Sequence, residues 1–359
     1  MSFLAPFIIF FAFLGAIDYV IGDKIGIGKE FKKAFELLGT MSLSMIGMIV
    51  IAPLIGSLLS PLFEFTYKTL HVDPSIISAS LLANDMGGAS LSKEIARNDS
   101  IGMFNALVVS SMMGATVSFT IPLAVGVVRK EKHKEMFLGF LCGIVTIPIG
   151  CFISGLLCGI SIVDLLLNIL PLLILSLIIA FGLVKAPNIC VKIFKAFAKC
   201  MTVVIIVGLL MGIINYMMDR ELIKGIASIE DGAMVCFNAS IVMCGMFPFL
   251  NIISKLLKRP LKAFWKKADI NEAAALGFVS TLATNVTTFG IMDKMDKKGV
   301  MLNSAFAVSA AFTFAGHLAF TIAFEPGYLL PVIVGKITAG ILSVMAAGIV
   351  YKFTSTNKR

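Results

Sequence analysis

Residues 74–99 read PSIISASLLANDMGGASLSKEIARND, and the path taken by this stretch decides the fold. Suppose residues 75–91 crossed a bilayer. The basic loop beyond the next apolar stretch, with Arg129, Lys130, Lys132 and Lys134, would then lie outside, against the tendency of Lys and Arg to stay in cytoplasmic loops. If residues 75–99 instead enter and leave on one side, that loop falls inside. The stretch then reads as a half-helix, a break at Asn84-Asp85-Met86-Gly87-Gly88, and a short polar half-helix returning.

The choice presupposes a membrane, and composition supplies it. Of 359 residues, 58% are hydrophobic and only 14% charged, against about 25% charged in a soluble domain. Apolar stretches of about 18 residues or more, each long enough to cross the hydrocarbon core, occupy residues 3–21, 37–59, 101–128, 136–160, 162–184, 201–218, 233–253, 300–322 and 328–351. The net charge of +9 sits in short loops, as cytoplasmic loops require. No basic patch interleaves with stacking aromatics, so nucleic acid is not expected as a partner; the bilayer is. Seven Cys show no metal-ligand spacing and read as free, buried thiols. The N-terminus lacks a cleavable-signal pattern and reads as a retained first span.

The charges then orient every loop. Lys24, Lys29, Lys32 and Lys33 place the first loop inside. The loop at 219–231, with four acids against Arg220 and Lys224, falls outside. The loop at 255–267 carries six basic residues and Trp265, an expected interfacial anchor, and falls inside. Residues 270–298 need the same device as 74–99: an apolar first half, a break at Thr284-Asn285-Val286-Thr287-Thr288, and a polar return. Lys93 and Arg97 are left outside, with Glu94 and Asp99 to balance them. The expected fold is therefore an all-α polytopic membrane protein of about nine spans and two re-entrant helical hairpins.

The halves also echo each other. Gly15-Ala16-Ile17-Asp18-Tyr19 matches Gly212-Ile213-Ile214-Asn215-Tyr216. Leu82-Ala83-Asn84-Asp85 matches Leu282-Ala283-Thr284-Asn285, Asn105-Ala106 matches Asn303-Ser304, and Phe119-Thr120-Ile121 matches Phe320-Thr321-Ile322. The chain thus reads as one membrane domain, 1–359, with repeat one at 1–184 (hairpin 75–99) and repeat two at 200–351 (hairpin 270–298). An odd number of spans between the copies inverts the second. Inverted repeats with broken helices belong to secondary transporters, whose sites lie at the midplane between the repeats.

Asp85 is the foremost candidate, since a carboxylate at membrane depth needs a partner or water. It reads either as a seat for an ammonium group or as a cap on the second half-helix. Asn84, Thr284, Asn285, Thr287 and Thr288 offer donors and acceptors at the two tips, for substrate or for the broken backbone. Asp18 pairs by repeat with Asn215 and reads as a second cation seat or an interfacial residue. Gly87 and Gly88 relieve sterics at the break. Asn105 and Asn303 follow the hairpins and suit inter-helix hydrogen bonds or substrate. Phe119, Phe320, Tyr19 and Tyr216 could offer cation–π faces, and His317 is either a proton relay or a satisfied core histidine. There is no phosphate-cradling Gly-x-x-x-x-Gly-Lys loop and no nucleophile or zinc motif, so no enzyme activity, cofactor or metal is expected.

Leu81-Leu82-Ala83-Asn84-Asp85-Met86-Gly87-Gly88 with Lys93-Glu94 resembles the ethanolamine-utilisation permease family, EutH. So do Met113-Gly114-Ala115-Thr116 through Phe119-Thr120-Ile121-Pro122, and Gly143-Ile144-Val145-Thr146-Ile147-Pro148-Ile149-Gly150-Cys151. The order and spacing of the blocks match over most of the chain. Asn84 stands where other members have Cys. The resemblance implies uptake of ethanolamine through the cell membrane, with Asp85, with or without Asp18, holding the ammonium and Asn or Thr groups the alcohol. The rival readings are an ion-coupled transporter or channel-like facilitator for another small organic amine or acid. A sensor or scaffold would carry a sizeable soluble domain. Paired opposed hairpins elsewhere accompany a dimeric scaffold, so a homodimer is an expected partner arrangement by analogy.

Overall fold

The computed structural model describes residues 4–356; the side chains of residues 4, 40, 62, 65, 66, 70, 254, 257–268 and 354–356 are outside that description. The start of the first expected span at residue 3, the side chain of Trp265, and Lys358 and Arg359 therefore lie outside the described residues. Among those described, the chain is helical, without a strand. In order the helices are α1 (Leu4–Val20), α2 (Gly28–Leu58), α3 (Ser60–Leu70), α4 (Ser75–Leu81), α5 (Gly88–Ile95), α6 (Asp99–Val127), α7 (His133–Leu157) and α8 (Ile162–Lys185). Then follow α9 (Pro187–Met218), α10 (Ile229–Ala268), α11 (Glu272–Ala283), α12 (Asn285–Gly290), α13 (Lys297–Ala310), α14 (Gly316–Phe324) and α15 (Leu329–Thr356).

Among the described residues, seven segments are long and apolar enough to cross a bilayer: α2, α6, α7, α8, α9, α15 and the Ile229–Ile253 part of α10. At 17 residues, α1 is a shorter apolar helix. Two expectations need correcting. The stretch 300–322, read as one span, is two helices, α13 and α14, with an unwound segment between them. The basic stretch 255–267, read as a loop, continues α10 as helix to Ala268.

The surface is apolar and the interior holds many polar groups, the inverse of a soluble domain. Leu166, Leu170, Ile174, Ile178 and Phe181 project outward along α8, while Ser75, Asn105, Thr116, Asn303 and Lys336 are buried. Lipid offers helices no hydrophobic drive to associate, so small residues and hydroxyl bonds hold them together. On the α7–α15 seam, Gly150 and Gly335 sit against the opposite backbone and side chains. There Ser154 Oγ donates to the Pro331 carbonyl (2.7 Å) and Thr146 Oγ1 to that of Ala339 (3.2 Å). Similarly, Gly47 of α2 and Gly208 of α9 admit each other's helices, and Ser240 of α10 donates to the Ala34 carbonyl of α2.

The break after α4 falls where the sequence places it. A single turn, Asn84–Met86, leads to Gly87 at φ +91°, and α5 runs back along α4. Ser78 and Ser92 hydroxyls meet at 2.7 Å across the pair, and Asp73 closes the base by accepting from the Arg97 and Asn98 amides (2.9 Å each). In the second half the break is narrower than expected: only Thr284 is extended, and helix resumes at Asn285. Asn271 closes that base, donating to the Lys294 carbonyl (2.8 Å) and, through its amide, to Asp296 (3.2 Å).

Broken backbone away from water must find partners, and the two breaks do so differently. Around the first, α6 supplies hydroxyls: Ser110 donates to the Leu82 carbonyl (2.7 Å) and Ser118 accepts from the Ala83 amide (3.1 Å). This part of α6, Asn105–Gly114 and Thr116–Thr120, is wound as π-helix. Around the second, the unwound segment after α13 supplies backbone: the Phe312 and Phe314 amides donate to the Thr281 and Leu282 carbonyls (3.0 Å each). Those carbonyls belong to the last turn of α11, which has no intrahelical donors for them.

The two helix pairs are based at opposite ends of α6. Tyr328 donates to the Ser100 carbonyl and Lys93 stacks over Phe324, tying the first base to the 325–328 turn. At the far end, Arg129 pairs with Asp293 (2.8 Å) and Lys132 donates to the Met295 carbonyl, tying the second base to the loop after α6. Arg97 finds Glu64, rather than the Glu94 or Asp99 expected to balance it.

Candidate functional site

The break after α4 carries Asp85 to the deep end of a cleft of about 1500 Å³. One wall is built by α2 and α10, through residues such as Met41, Met243 and Phe247; the other by α11, α13 and α15, through Phe278, Phe306 and Ile341. Glu30, Lys33 and Glu272 mark the other end, at the starts of α2 and α11. The lining is mainly apolar, and Asp85 is the acid at its inner end. Its side chain is 28% exposed, and no side chain caps α5, whose N-cap position is Gly87. The geometry therefore does not give Asp85 the capping role that the sequence left open.

Thr284 and Thr287, from the second break, line the same cleft. Thr284 also caps α12 by accepting from the Val286 amide (3.3 Å). Asn84, next to Asp85, is buried, and neither atom of its amide has a protein partner. Asn285 donates to Thr120 of α6 (3.0 Å), but its carbonyl oxygen is unpartnered. A buried amide without partners costs roughly 1–3 kcal/mol, so both tips hold unspent hydrogen-bonding capacity.

Other candidates lie elsewhere. Thr288 is buried within its own helix pair, sharing a hydrogen bond with Thr281 (2.9 Å) and donating to the Gly277 carbonyl. Asp18 accepts from the amides of Ile25, Ile27 and Gly28 (2.8–2.9 Å), so it holds the α1–α2 turn. Its repeat counterpart, Asn215, does the same at the end of α9 by bonding both backbone groups of Ile223. Asn105 exchanges amide hydrogen bonds with Asn168 of α8 and donates to Ser75. Asn303 donates to the Ala274 and Gly299 carbonyls. The bonds of Asn105 and that of Asn303 to Ala274 join different helices, while that of Asn303 to Gly299 lies within α13. Tyr19 and Tyr216 are exposed on the outer surface and Phe320 is buried against Phe324. Phe119 reaches the cleft only through Phe312, which lines it and packs edge-on against Phe119 with centroids 5.7 Å apart.

Gly87 and Gly88 are fixed by their surroundings. Gly87 has the left-handed φ that side chains avoid, and a Cβ there would strike Met48. A Cβ on Gly88 would strike the Leu82 carbonyl and Ser110.

Behind Asp85 lie His317, which the sequence offered as a proton relay or a satisfied core histidine, and Lys336, which it did not single out. His317 Nε2 is 4.0 Å from Asp85 Oδ1, and His317 Nδ1 is 3.1 Å from Lys336 Nζ. Lys336 is fully buried and also donates to the Ser111 carbonyl of α6 (2.6 Å). The signal was present: one cation in the middle of the apolar stretch 328–351 is costly enough to ask for a role. Phe312 was missed as well, because the unwound segment that positions it has the composition of a continuous span.

Among the described residues no group of three or more His, Cys, Asp or Glu side chains could hold a metal. The seven Cys are free thiols, four of them buried, two half-buried, and Cys200 exposed.

No solved structure matches the chain. Its sequence is 39% identical over 341 residues to "Probable ethanolamine permease EutH" of Listeria monocytogenes, covering 95% of this chain and 91% of that protein. It is 35% identical to "Uncharacterized protein YxeR" of Bacillus subtilis, covering 94% and 91%. It is 34% identical to "Probable ethanolamine permease EutH" of Salmonella typhimurium, covering 94% and 92%. Residues 2–350 match the family described as Ethanolamine utilisation protein, EutH, and with that extent of likeness the chain belongs to the EutH family.

Proposed function

We propose that this protein carries ethanolamine across the cytoplasmic membrane as the protonated amine, by alternating access around Asp85. The observation that carries the proposal is the Asp85 carboxylate at the inner end of the cleft, partly exposed there and not engaged in capping α5. Ethanolamine is a primary amine, protonated near neutral pH as a Lys side chain is. A carboxylate is its natural partner, and charge-assisted bonds are the stronger ones. Thr284 and Thr287 line the cleft and are the groups available to the hydroxyl; Asn84 and Asn285 are buried behind the lining, and their unpartnered atoms would reach substrate only if the tips move. The names of the relatives from Listeria and Salmonella point to the same substrate.

The two helix pairs act as re-entrant hairpins in this reading, belonging to inverted repeats 1–184 and 200–351. Their bases sit at opposite ends of α6, a helix of 29 residues. The contacts at each end join loops that the charge rule assigns to one side: the 73–98 base with 325–328 outside, and the 271–296 base with 129–132 inside. The cleft mouth at Glu30, Lys33 and Glu272 is then cytoplasmic, and the conformation inward-facing. Beyond Asp85, Leu82, Asn84 and Thr120 are buried, which favours a closed midplane site over a continuous channel.

The assignment is tested with purified protein in liposomes. Uptake of labelled ethanolamine should exceed that of protein-free vesicles and be reduced by excess unlabelled ethanolamine. Serine and simple carboxylates should leave it unchanged, because their carboxylates meet Asp85. Stronger competition by a carboxylate than by ethanolamine would give the site to an acid and reject the amine assignment.

A further inference from the structure

We infer that Lys336 is a resident cation that the substrate displaces electrically: ethanolammonium binding at Asp85 expels one proton from the Lys336–His317 pair. The inference rests on the amine assignment above, and the geometry makes it specific. Lys336 Nζ lies 3.1 Å from His317 Nδ1, and Asp85 Oδ1 lies 4.0 Å from the other ring nitrogen, Nε2. A Lys in an apolar interior needs an opposite charge. Among the described residues, the titratable groups facing it are few. Asp85 comes from the break after α4, His317 from α14 and the Cys151 thiol from α7. α6 presents the Ser111 carbonyl. The ionisable side chains of α6 and α13 are confined to their first turns, at Asp99, Lys297 and Lys298. Asp85 is therefore the one carboxylate placed to balance Lys336, with the imidazole between them.

The hydrogen-bond roles follow from that arrangement. In the empty site the ammonium donates to the Ser111 carbonyl and to His317 Nδ1, which sets the neutral tautomer with the proton on Nε2, aimed at Asp85. Carboxylate and ammonium together are then neutral. When a substrate ammonium docks on Asp85, the buried cluster would hold two cations against one anion, which a low-dielectric interior penalises. Lys336 passes a proton to His317 Nδ1, and Nε2 releases its own to water in the cleft. One proton leaves for each cation that enters. Lys336 becomes a neutral amine accepting from Nδ1–H, and Nε2 becomes an acceptor for the substrate. The net cargo per cycle equals the neutral amine, carried where the free base itself is scarce.

The test measures protons and amine together. Purified protein in weakly buffered detergent solution receives ethanolamine hydrochloride at matched pH. A soluble indicator reports released protons, and equilibrium dialysis with labelled ethanolamine reports occupancy. Wild type should release about one proton per amine bound, and its Kd should weaken about tenfold for each pH unit lowered between about pH 6 and 8. Lys336→Arg keeps a permanent cation, so Asp85 stays balanced and no proton can leave position 336; it should bind amine at least about tenfold more weakly, without release and with a nearly flat pH dependence. Amine binding to wild type without proton release would overturn the exchange while leaving the substrate assignment standing. So would unchanged release from Lys336→Arg, since the proton would then come from a group other than position 336. Failure of wild type to bind ethanolamine would instead overturn the substrate assignment, and the exchange with it.

Discussion

Lys336 Nζ and His317 Nδ1 lie 3.1 Å apart in the buried core, and the imidazole alone separates that amine from the Asp85 carboxylate at the cleft. This contact divides the intramembrane acids by role. Asp85 faces a cavity on one side and the His317–Lys336 pair on the other. Asp18, the other acid considered for the site, has its oxygens filled by backbone amides.

That division predicts what Asp18→Ala does. Three backbone amides lose their acceptor at the α1–α2 turn, so the protein should be destabilised by about 1–3 kcal/mol. Protein that remains folded should keep the wild-type KM for ethanolamine. Melting in detergent and initial uptake rates check the two halves separately; a raised KM at unchanged stability would return Asp18 to the site.

Asn105 and Asn168 bond each other through both amides. Asn168→Ala leaves the Asn105 carbonyl oxygen unpaired while its Nδ2 keeps Ser75, and Asn105→Ala strands the Asn168 amide; each should cost about 1–3 kcal/mol. The double variant should cost less than the sum, because neither partner is then stranded. A double-mutant cycle on melting temperatures reads this coupling, and strict additivity would deny it.

Gly87→Ala places a side chain at φ +91° and against Met48. Loss of about 1–2 kcal/mol or more is expected from the backbone conformation, with further cost from the contact. Adding Met48→Ala should restore part of the stability, the part due to crowding. A Gly87→Ala protein as stable as wild type would mean that the turn relaxes freely.

At the base of the first hairpin, Lys68 and then Arg97 hold the Glu64 carboxyl below its ordinary value. A depressed folded pKa contributes stability that is present above the unfolded value near about 4.3 and is lost as pH falls through the folded one. Glu64 is exposed and its pairs are screened, so the effect should be small. Wild type and Glu64→Gln should differ slightly in melting temperature at neutral pH and converge in acid, once pH has fallen through the depressed folded value. A gap that persists in acid would assign the effect to packing.

Much of this architecture is legible in the sequence because charge and glycine mark it. Lys and Arg mark the ends of the apolar helices, and Asp85-Met86-Gly87-Gly88 announces a break that no continuous helix would hold so easily. The break at 311–315 is not legible in the same way. Ala311-Phe312-Thr313-Phe314-Ala315 is as apolar as any span, and it unwinds because the end of α11 needs backbone donors, a tertiary demand. The same limit applies at the site. Asp85 stands out by its place in the break, whereas Lys336 is one cation in a long apolar run, and its meaning depends on His317, 19 residues away. Asp18 looked like a site residue because a buried carboxylate and a backbone cap read alike until the amides around it are seen.

The central claim is that Asp85 seats the substrate ammonium. Uptake of labelled ethanolamine into proteoliposomes at about pH 6.5, where the leak of free base is small, tests it directly for wild type, Asp85→Asn and Asp85→Glu. With melting temperatures confirming folded protein, Asp85→Asn should lose at least about tenfold in uptake, and Asp85→Glu should retain part of it. Equal uptake by wild type and a folded Asp85→Asn would contradict the account, because the cation would then be held elsewhere.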